Sequence, residues 1–337
     1  MSAVRIADRP VGEGHPCFII AEAGVNHNGD LSTARTLIDG AVEAGADAVK
    51  FQTFKTEAIV TPQAGESQFA MLKRLELSRE ATQELFLYSK KKGILFLSTP
   101  FEEESADFLE ELGVEAFKIP SGEVTNLPFL SHVAAKGRPI ILSTGMSTLE
   151  EVVTAVKTLR TVHSAGLVLL HCVSNYPTDP EEANLRAMET LRRTFRVPVG
   201  FSDHTLGIEI ALAAVALGAC VIEKHFTLDH RLPGPDHRVS LELEEMRCLV
   251  QGIRKVEKSL GDGRKVPAFR EMDTASVARK SLVAGKAIAR GSLLTRDLVV
   301  IRRPGTGLPP AMWDLVLWKK AGQDIPEGTP FTLEMLE

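Results

Sequence analysis

Through its first two thirds this chain alternates short β-branched runs with longer runs of helical period, and that alternation leaves few folds open. Eight runs read as strands: Phe18–Ala21, Ala48–Phe51, Leu95–Ser98, Ala116–Ile119, Ile140–Ser143, Val168–His171, Val197–Phe201 and Cys220–Glu223. Helical patterns are predicted at Ser32–Glu43, Arg79–Lys91, Glu102–Leu112, Leu149–Arg160, Ile208–Leu217 and Glu242–Ser259. Ala-Gly-Ala-Asp-Ala-Val (44–49), Leu-Gly-Val-Glu-Ala-Phe (112–117) and Leu-Gly-Ala-Cys-Val-Ile (217–222) repeat one device. In each, glycine ends a helix in the left-handed conformation and a buried strand follows at once. Eight strands in βα order predict an α/β fold, the (β/α)8 TIM barrel, with an open doubly wound sheet as the alternative. No Gly-x-Gly-x-x-Gly follows the first strand, which argues against a dinucleotide-binding sheet.

A length of 337 residues suits one large barrel with an appendage. The division expected is a catalytic barrel over 1–265, a linker over 266–276 and a small β-rich domain over 277–337. In the last part Ser281–Ala284, Leu294–Leu298 and Val299–Ile301 read as short strands, followed by a Gly/Pro-rich run over 302–310. About sixty residues is near the lower limit for independent stability, so this domain is expected to pack on something else. The formal net charge of −5 divides unevenly: residues 277–337 carry +3, leaving −8 on the rest. That polarity suits an anionic ligand between the two parts, and nothing resembles a nucleic-acid-binding patch. The longest nearly apolar stretch, Ile210–Ile222, is shorter than a membrane span and is bracketed by Glu209 and Glu223. Residues 1–16 lack the apolar core of a signal peptide, so a cytoplasmic protein is expected. Cys17, Cys172, Cys220 and Cys248 show no Cys-x-x-Cys spacing, and neither disulfides nor a zinc–thiolate site is predicted.

The chemistry gathers where the predicted strands end. His204 follows the seventh strand and His225 the eighth, and two neutral imidazoles aimed at one point can hold a divalent metal. Glu223 lies two residues before His225, so strand alternation puts both side chains on one side and gives the site an acid or base. Earlier strands end at Glu22, at Lys50 and Gln52, at Thr99, at Lys118, Ser121 and Glu123, at Ser143, and at Ser174 and Tyr176. A lysine among hydroxyls and glycine amides supplies what a phosphate or carboxylate requires. One lysine at a strand end is more often a surface residue, and one serine more often a helix cap. Two lysines, several hydroxyls and two histidines at the same end of successive strands are not explained that way. His27 and His171 read equally well as site groups or as hydrogen-bonded histidines near the core; His15, His132, His163 and His230 are expected at the surface.

Specific segments then match a known pattern. They are Val-Lys-Phe-Gln-Thr-Phe (49–54), Phe-Lys-Ile-Pro-Ser-Gly-Glu (117–123) and Ile-Leu-Ser-Thr-Gly-Met (141–146). Phe-Ser-Asp-His-Thr-Leu-Gly (201–207), Glu-Lys-His-Phe-Thr-Leu (223–228) and Gly-Pro-Asp-His (234–237) follow in the same order. By these the chain resembles the sialic acid synthase family, which condenses phosphoenolpyruvate with N-acylated hexosamines to make nonulosonic acids. Lys-Ser-Leu-Val-Ala (280–284) and Arg-Arg-Pro-Gly-Thr-Gly (302–307) resemble that family's antifreeze-like, or SAF, domain.

The resemblance implies that His204 and His225 ligate a divalent ion, manganese first, with magnesium or cobalt as alternatives. It implies that Lys50, Thr99, Lys118, Ser121, Ser143, Ser174 and Ser202 hold phosphoenolpyruvate. Glu22, Gln52, Glu123, Tyr176 and Asp236 would face the sugar. Arg303 would reach the N-acyl group in the barrel of a partner, within a domain-swapped homodimer. Glu223, Glu22 and Lys118 are the candidate catalytic groups. N-acetylmannosamine is the default sugar, and a 2,4-diacetamido sugar giving a legionaminic- or pseudaminic-type product is the alternative. Two departures bear on that choice: a shortened segment between Gln52 and Met71, and Trp318 where glycine is expected. A metal-independent Schiff-base aldolase using Lys50 or Lys118 is the rival enzyme reading. An ice-binding protein would want regularly spaced Thr and Ala, which residues 277–337 lack.

Overall fold

The structure, a computed structural model, describes residues 3–61, 66–162 and 166–337. His163 and part of the shortened segment after Gln52 lie outside these. The chain divides into two compact units, Met1–Gly261 and Asp262–Glu337.

The larger unit opens with a hairpin of β1 (Val4–Ile6) and β2 (Arg9–Val11), which the sequence reading did not anticipate. Eight parallel strands follow: β3 (Phe18–Gly24), β4 (Ala48–Thr53), β5 (Leu95–Pro100), β6 (Phe117–Ile119), β7 (Ile140–Ser143), β8 (Leu167–Cys172), β9 (Val199–Asp203) and β10 (Val221–His225). They form one sheet in the order β5-β4-β3-β10-β9-β8-β7-β6, with β5 and β6 packed at the remaining seam. Helices alternate with the strands, so the expected (β/α)8 barrel is the fold. All eight expected strands are present, and the last two run on to Asp203 and His225.

The helices start and stop on local chemistry. Leu31–Ala44 begins where the Asp30 side chain accepts the Thr33 N–H, and ends where Gly45 at φ +83° returns its N–H to the last turn. Helices at Glu66–Leu75, Leu127–Ala135 and Ala187–Phe195 were not predicted. All three are short, which gives few turns over which a helical period can show.

Strand alternation makes two cores. Ile19, Ala21, Val49, Phe51 and Ile222 face outward and pack with the helices. Phe18, Ile20, Ala48, Leu97, Ala116, Ile141, Val168, Leu170 and Val221 form the second cluster, and Val4, Ile6 and Val11 of the hairpin join it as its floor. Among the described residues no helix is long and apolar enough to cross a membrane, and all four cysteines are free thiols.

In the smaller unit β11 (Ser281–Ala284) pairs antiparallel with β12 (Val299–Arg302) over a core that includes Leu282, Leu294, Val316, Ile325 and Phe331. The strand expected at Leu294–Leu298 is not formed. There the Thr295 hydroxyl donates to Asp297 and the Leu298 N–H to the Thr295 carbonyl, a local turn that competes with pairing. The stretch read as linker, 266–276, contains the start of a helix, Glu271–Ala278, none of whose residues is buried. Trp318 sits at φ +70°, in the left-handed region where a glycine carries no strain.

Candidate active site

Seven of the eight barrel strands change character at the same height, and in β9 Gly200 is followed at that height by Ser202. Reading only the inward positions, Ile20 gives way to Glu22, Ala48 to Lys50, Leu97 to Thr99 and Ala116 to Lys118. Ile141 gives way likewise to Ser143, Leu170 to Cys172, and Val221 to Glu223 and His225. Side chains two apart share a face of a strand, so apolar residues fill the lower layers and polar ones the top. The polar layer lines a cavity of about 400 Å³ at the C-terminal mouth. Another cavity, of about 470 Å³, opens at the opposite end beside Cys17 and Cys220. Barrels of this type place chemistry at the C-terminal face, and there Lys50 and Lys118 converge with His204 and His225.

Two lysines and two glutamates share the centre of that layer, all buried. Lys50 Nζ lies 2.5 Å from Glu22 Oε2 and 3.7 Å from Glu223 Oε2, and donates to Thr99 Oγ1 at 3.0 Å. Lys118 Nζ lies 3.2 Å from Glu223 Oε1, which also accepts the Ser202 hydroxyl at 2.9 Å. Burial opposes ionisation of Glu223, but Lys118, Lys50 and Ser202 outweigh it and hold this carboxyl well below the ordinary range. Burial prevails at Glu22, helped by the Glu223 charge and opposed by Lys50, and lifts its carboxyl above the ordinary range. Burial also acts against the charge on Lys50, yet Glu22 and Glu223 hold its ammonium above the usual value. Lys118 goes the other way, lowered by burial and by Lys50. Two carboxyls and two ammoniums in similar surroundings are thereby driven apart in acidity, which is how acid–base roles become separated.

The histidines stand beside this cluster with ring centroids 5.4 Å apart. His204 uses Nδ1 on the Val173 carbonyl at 2.7 Å, an arrangement that puts the proton on Nδ1 and the lone pair on Nε2. His225 Nδ1 is buried without a hydrogen-bond partner, with Asp236 Oδ2 3.7 Å away. Burial lowers His225 and favours the neutral imidazole that ligates metals. Ser143 Oγ and Glu223 Oε2 are likewise buried without hydrogen bonds. Orphaned groups of this kind cost about 1–3 kcal/mol each, so their collection in one cavity fits a ligand that satisfies them. Among the described residues no three His, Cys, Asp or Glu side chains form a ready metal cage. The donor set therefore fits a cation held by two imidazoles and completed by water or substrate oxygen.

Comparison with known proteins follows the same line. The chain matches the NeuB family over residues 37–265 and the SAF domain over residues 279–337. The chain belongs to the NeuB family. It is 46% identical to the N,N'-diacetyllegionaminic acid synthase of Legionella pneumophila, across 98% of this chain and 97% of that protein. It is 40% identical to human N-acetylneuraminate-9-phosphate synthase, across 87% of this chain and 85% of that one. Among solved structures, the N-acetylneuraminic acid synthetase of Leptospira borgpetersenii superposes with a TM-score of 0.76 at 40% identity, covering 81% of this chain and 95% of that one.

In this NeuB-family chain the cavity gathers Lys50, Thr99, Lys118, Ser121, Ser143, Ser174 and Ser202, together with Glu22, Gln52, Tyr176 and Asp236. Glu123 does not line it; its carboxylate accepts from Asn126 at 2.6 Å, at the start of a helix. Arg303 belongs to the smaller unit and is exposed. His27 and His171 are hydrogen-bonded to Gly29 and to the Ala183 carbonyl respectively, and neither lines the cavity. The sequence reading missed the apolar wall of Val25, Met71, Leu72, Leu75 and Phe101. Its signal was present in the helical spacing of Met71, Leu72 and Leu75. Also missed was His237, a buried ring between Thr227 Oγ1 at 2.7 Å and Asn28 Nδ2 at 3.2 Å, which ties down the loop carrying Asp236.

Proposed function

We propose that this synthase of the nonulosonic acid family condenses phosphoenolpyruvate with the open-chain form of an N-acylated aminohexose and water, releasing phosphate. The observation that carries this reading is the placing of two buried lysines and several hydroxyls beside two histidines and two carboxylates in one cavity. An anionic enol ester and an aldehyde need those two environments side by side.

Lys50 and Lys118 bind the phosphate and carboxylate, with Ser121, Ser143, Ser174 and Ser202 donating to their oxygens. In doing so the ammoniums turn away from Glu223, which they neutralise in the free protein, and leave it a stronger base beside the reacting carbon. The methylene carbon of the enol ester bonds to the aldehyde carbon. Water then adds at the former enol carbon as Glu223 accepts one of its protons, and the carbon–oxygen bond to phosphate breaks as the new hydroxyl becomes the ketone and its proton leaves with the phosphate. Glu22, whose carboxyl is the more readily protonated, sits where the aldehyde oxygen gains a proton. His204 and His225 would hold a divalent cation, manganese by family resemblance, which supplies Lewis-acid polarisation of the aldehyde.

The sugar is read as a 2,4-diacetamido-trideoxyhexose. Support comes from the apolar wall of Met71, Leu72 and Phe101, suited to a deoxy methyl and a second acetamido methyl, and from the 46% identity to a diacetyllegionaminic acid synthase. N-acetylmannosamine is the second reading, supported by the likeness to the Leptospira enzyme. A homodimer is supported by the exposed apolar run that includes Phe269, 92% exposed, and Met272 and Val277 on a helix with no buried residue. A cytoplasmic setting accords with the use of phosphoenolpyruvate.

The test is phosphate release from phosphoenolpyruvate with Mn2+, one N-acyl sugar at a time, with and without a chelator. Chelator-sensitive release, faster with the diacetamido sugar, is expected. No phosphate release with any sugar, together with a chelator-insensitive condensation of pyruvate and a borohydride-trapped pyruvate adduct on Lys50 or Lys118, would establish the Schiff-base aldolase instead.

A further inference from the structure

Strand β10 ends in the triplet Glu223-Lys224-His225, and strand β9 ends in Ser202-Asp203, with His204 the next residue. The ladder pairs Glu223 with Ser202 and Lys224 with Asp203. On the inner side the rung is tied by the Ser202–Glu223 hydrogen bond. On the outer side, away from the cavity, Lys224 Nζ meets Asp203 Oδ2 at 2.8 Å, and neither side chain is exposed at all. Lys224 also donates to the Thr205 carbonyl. The second oxygen of Asp203 accepts the Thr205 N–H at 2.9 Å and its hydroxyl at 2.8 Å. The residue between those two tied positions is His204.

We infer that Asp203 and Lys224 are positioning residues, a buried clamp behind the barrel wall that fixes the spacing of the His204 and His225 side chains. Three facts argue for this. A buried ion pair is replaceable by apolar side chains at little or no loss of stability, so core packing alone does not call for one here. The pair crosses from one histidine strand to the other, whereas a stabilising pair could sit anywhere in the sheet. Its extra bonds all go to Thr205, which sets the turn that aims His204. The clamp never touches substrate; it acts through the two imidazoles.

This inference rests on the proposed role of those imidazoles in holding a cation. The experiment uses the full chain and titrates Mn2+ by electron paramagnetic resonance, with the visible spectrum of bound Co2+ as a reporter of ligand geometry. Melting temperature is followed in parallel. The double variant Asp203→Asn/Lys224→Met removes both charges together, so no lone buried charge remains. It is expected to melt near the wild type, to bind Mn2+ at least tenfold more weakly and to shift the Co2+ spectrum, while Lys224→Arg stays close to wild type in affinity. Should the double variant not fold, Thr205→Val drops only the hydroxyl bond to Asp203, and about threefold weaker Mn2+ binding is expected. Wild-type affinity and an unchanged Co2+ spectrum in either folded variant would overturn the clamp alone. A wild-type protein that takes up no Mn2+ would overturn the cation reading and the clamp with it.

Discussion

Lys50 Nζ lies 2.5 Å from Glu22 Oε2, an ion pair in which both side chains are almost wholly buried. Neither group has water to fall back on. Removing one partner leaves an uncompensated charge, which in buried pairs costs about 3–5 kcal/mol. Glu22 has an escape, because burial already favours its neutral form. Lys50→Met is therefore expected to destabilise more at pH 8 than at pH 6, where the carboxyl takes up a proton. Urea unfolding at the two pH values checks this, and Lys50→Met/Glu22→Gln should recover most of the loss. An equal loss at both pH values would count against a protonatable Glu22.

Glu223→Gln keeps the size and the Ser202 hydrogen bond but removes the basic oxygen. Turnover is expected to fall about 100- to 10,000-fold, the usual contribution of a positioned base. Mn2+ affinity, read by titration, should change little. Near-normal turnover in this variant would sink the role assigned to Glu223.

Gly234 lets the histidine ring of its own loop come close. A Cβ there would lie 2.7 Å from His237 Cδ2, well inside contact distance. Gly234→Ala should push His237 off Thr227 and Asn28 and shift Asp236, which the same loop carries into the cavity. Steady-state kinetics should show a raised KM for the sugar with the KM for phosphoenolpyruvate nearly unchanged. A rise confined to phosphoenolpyruvate would contradict this placing of Asp236.

His27 gives the barrel a pH dependence unrelated to turnover. Burial lowers it from 6.5 to about 4. Above pH 6.5 it is neutral folded or unfolded and contributes nothing to the slope. Below that, the unfolded chain binds a proton that the folded chain refuses, so stability falls as pH drops from 6.5 towards 4 and then levels off. The full loss is on the order of 3 kcal/mol. Denaturant unfolding across this range should show the slope, and His27→Gln should flatten it.

The barrel was legible in the sequence because buried parallel strands are continuous apolar runs and the helices between them stop at glycines such as Gly45. The polar layer at the barrel mouth was legible for a related reason: one polar residue at the end of an apolar run marks the height at which the interior opens. The hairpin Val4–Val11 was not legible, since two three-residue strands carry too little periodicity and gain their order from the barrel floor. The pairing of Lys224 with Asp203 was not legible, because only the register of β10 with β9 brings the two together. Glu123 could not be placed from its motif alone: in the structure its carboxylate accepts from Asn126 at the nearby helix start.

The hairpin floor has a consequence for how the barrel comes together. Val4, Ile6 and Val11 share a cluster with residues as distant in the chain as Cys220 and Val221. The first barrel strand likewise has the last as its neighbour, Phe18 beside Val221. Contacts of such sequence separation form late and only together, because each must overcome the closure of a loop of about two hundred residues. His204, Glu223 and His225 lie at the far end of that closure. No shorter fragment of the barrel unit should hold even a weakened version of the site; it arrives whole, with the final strand.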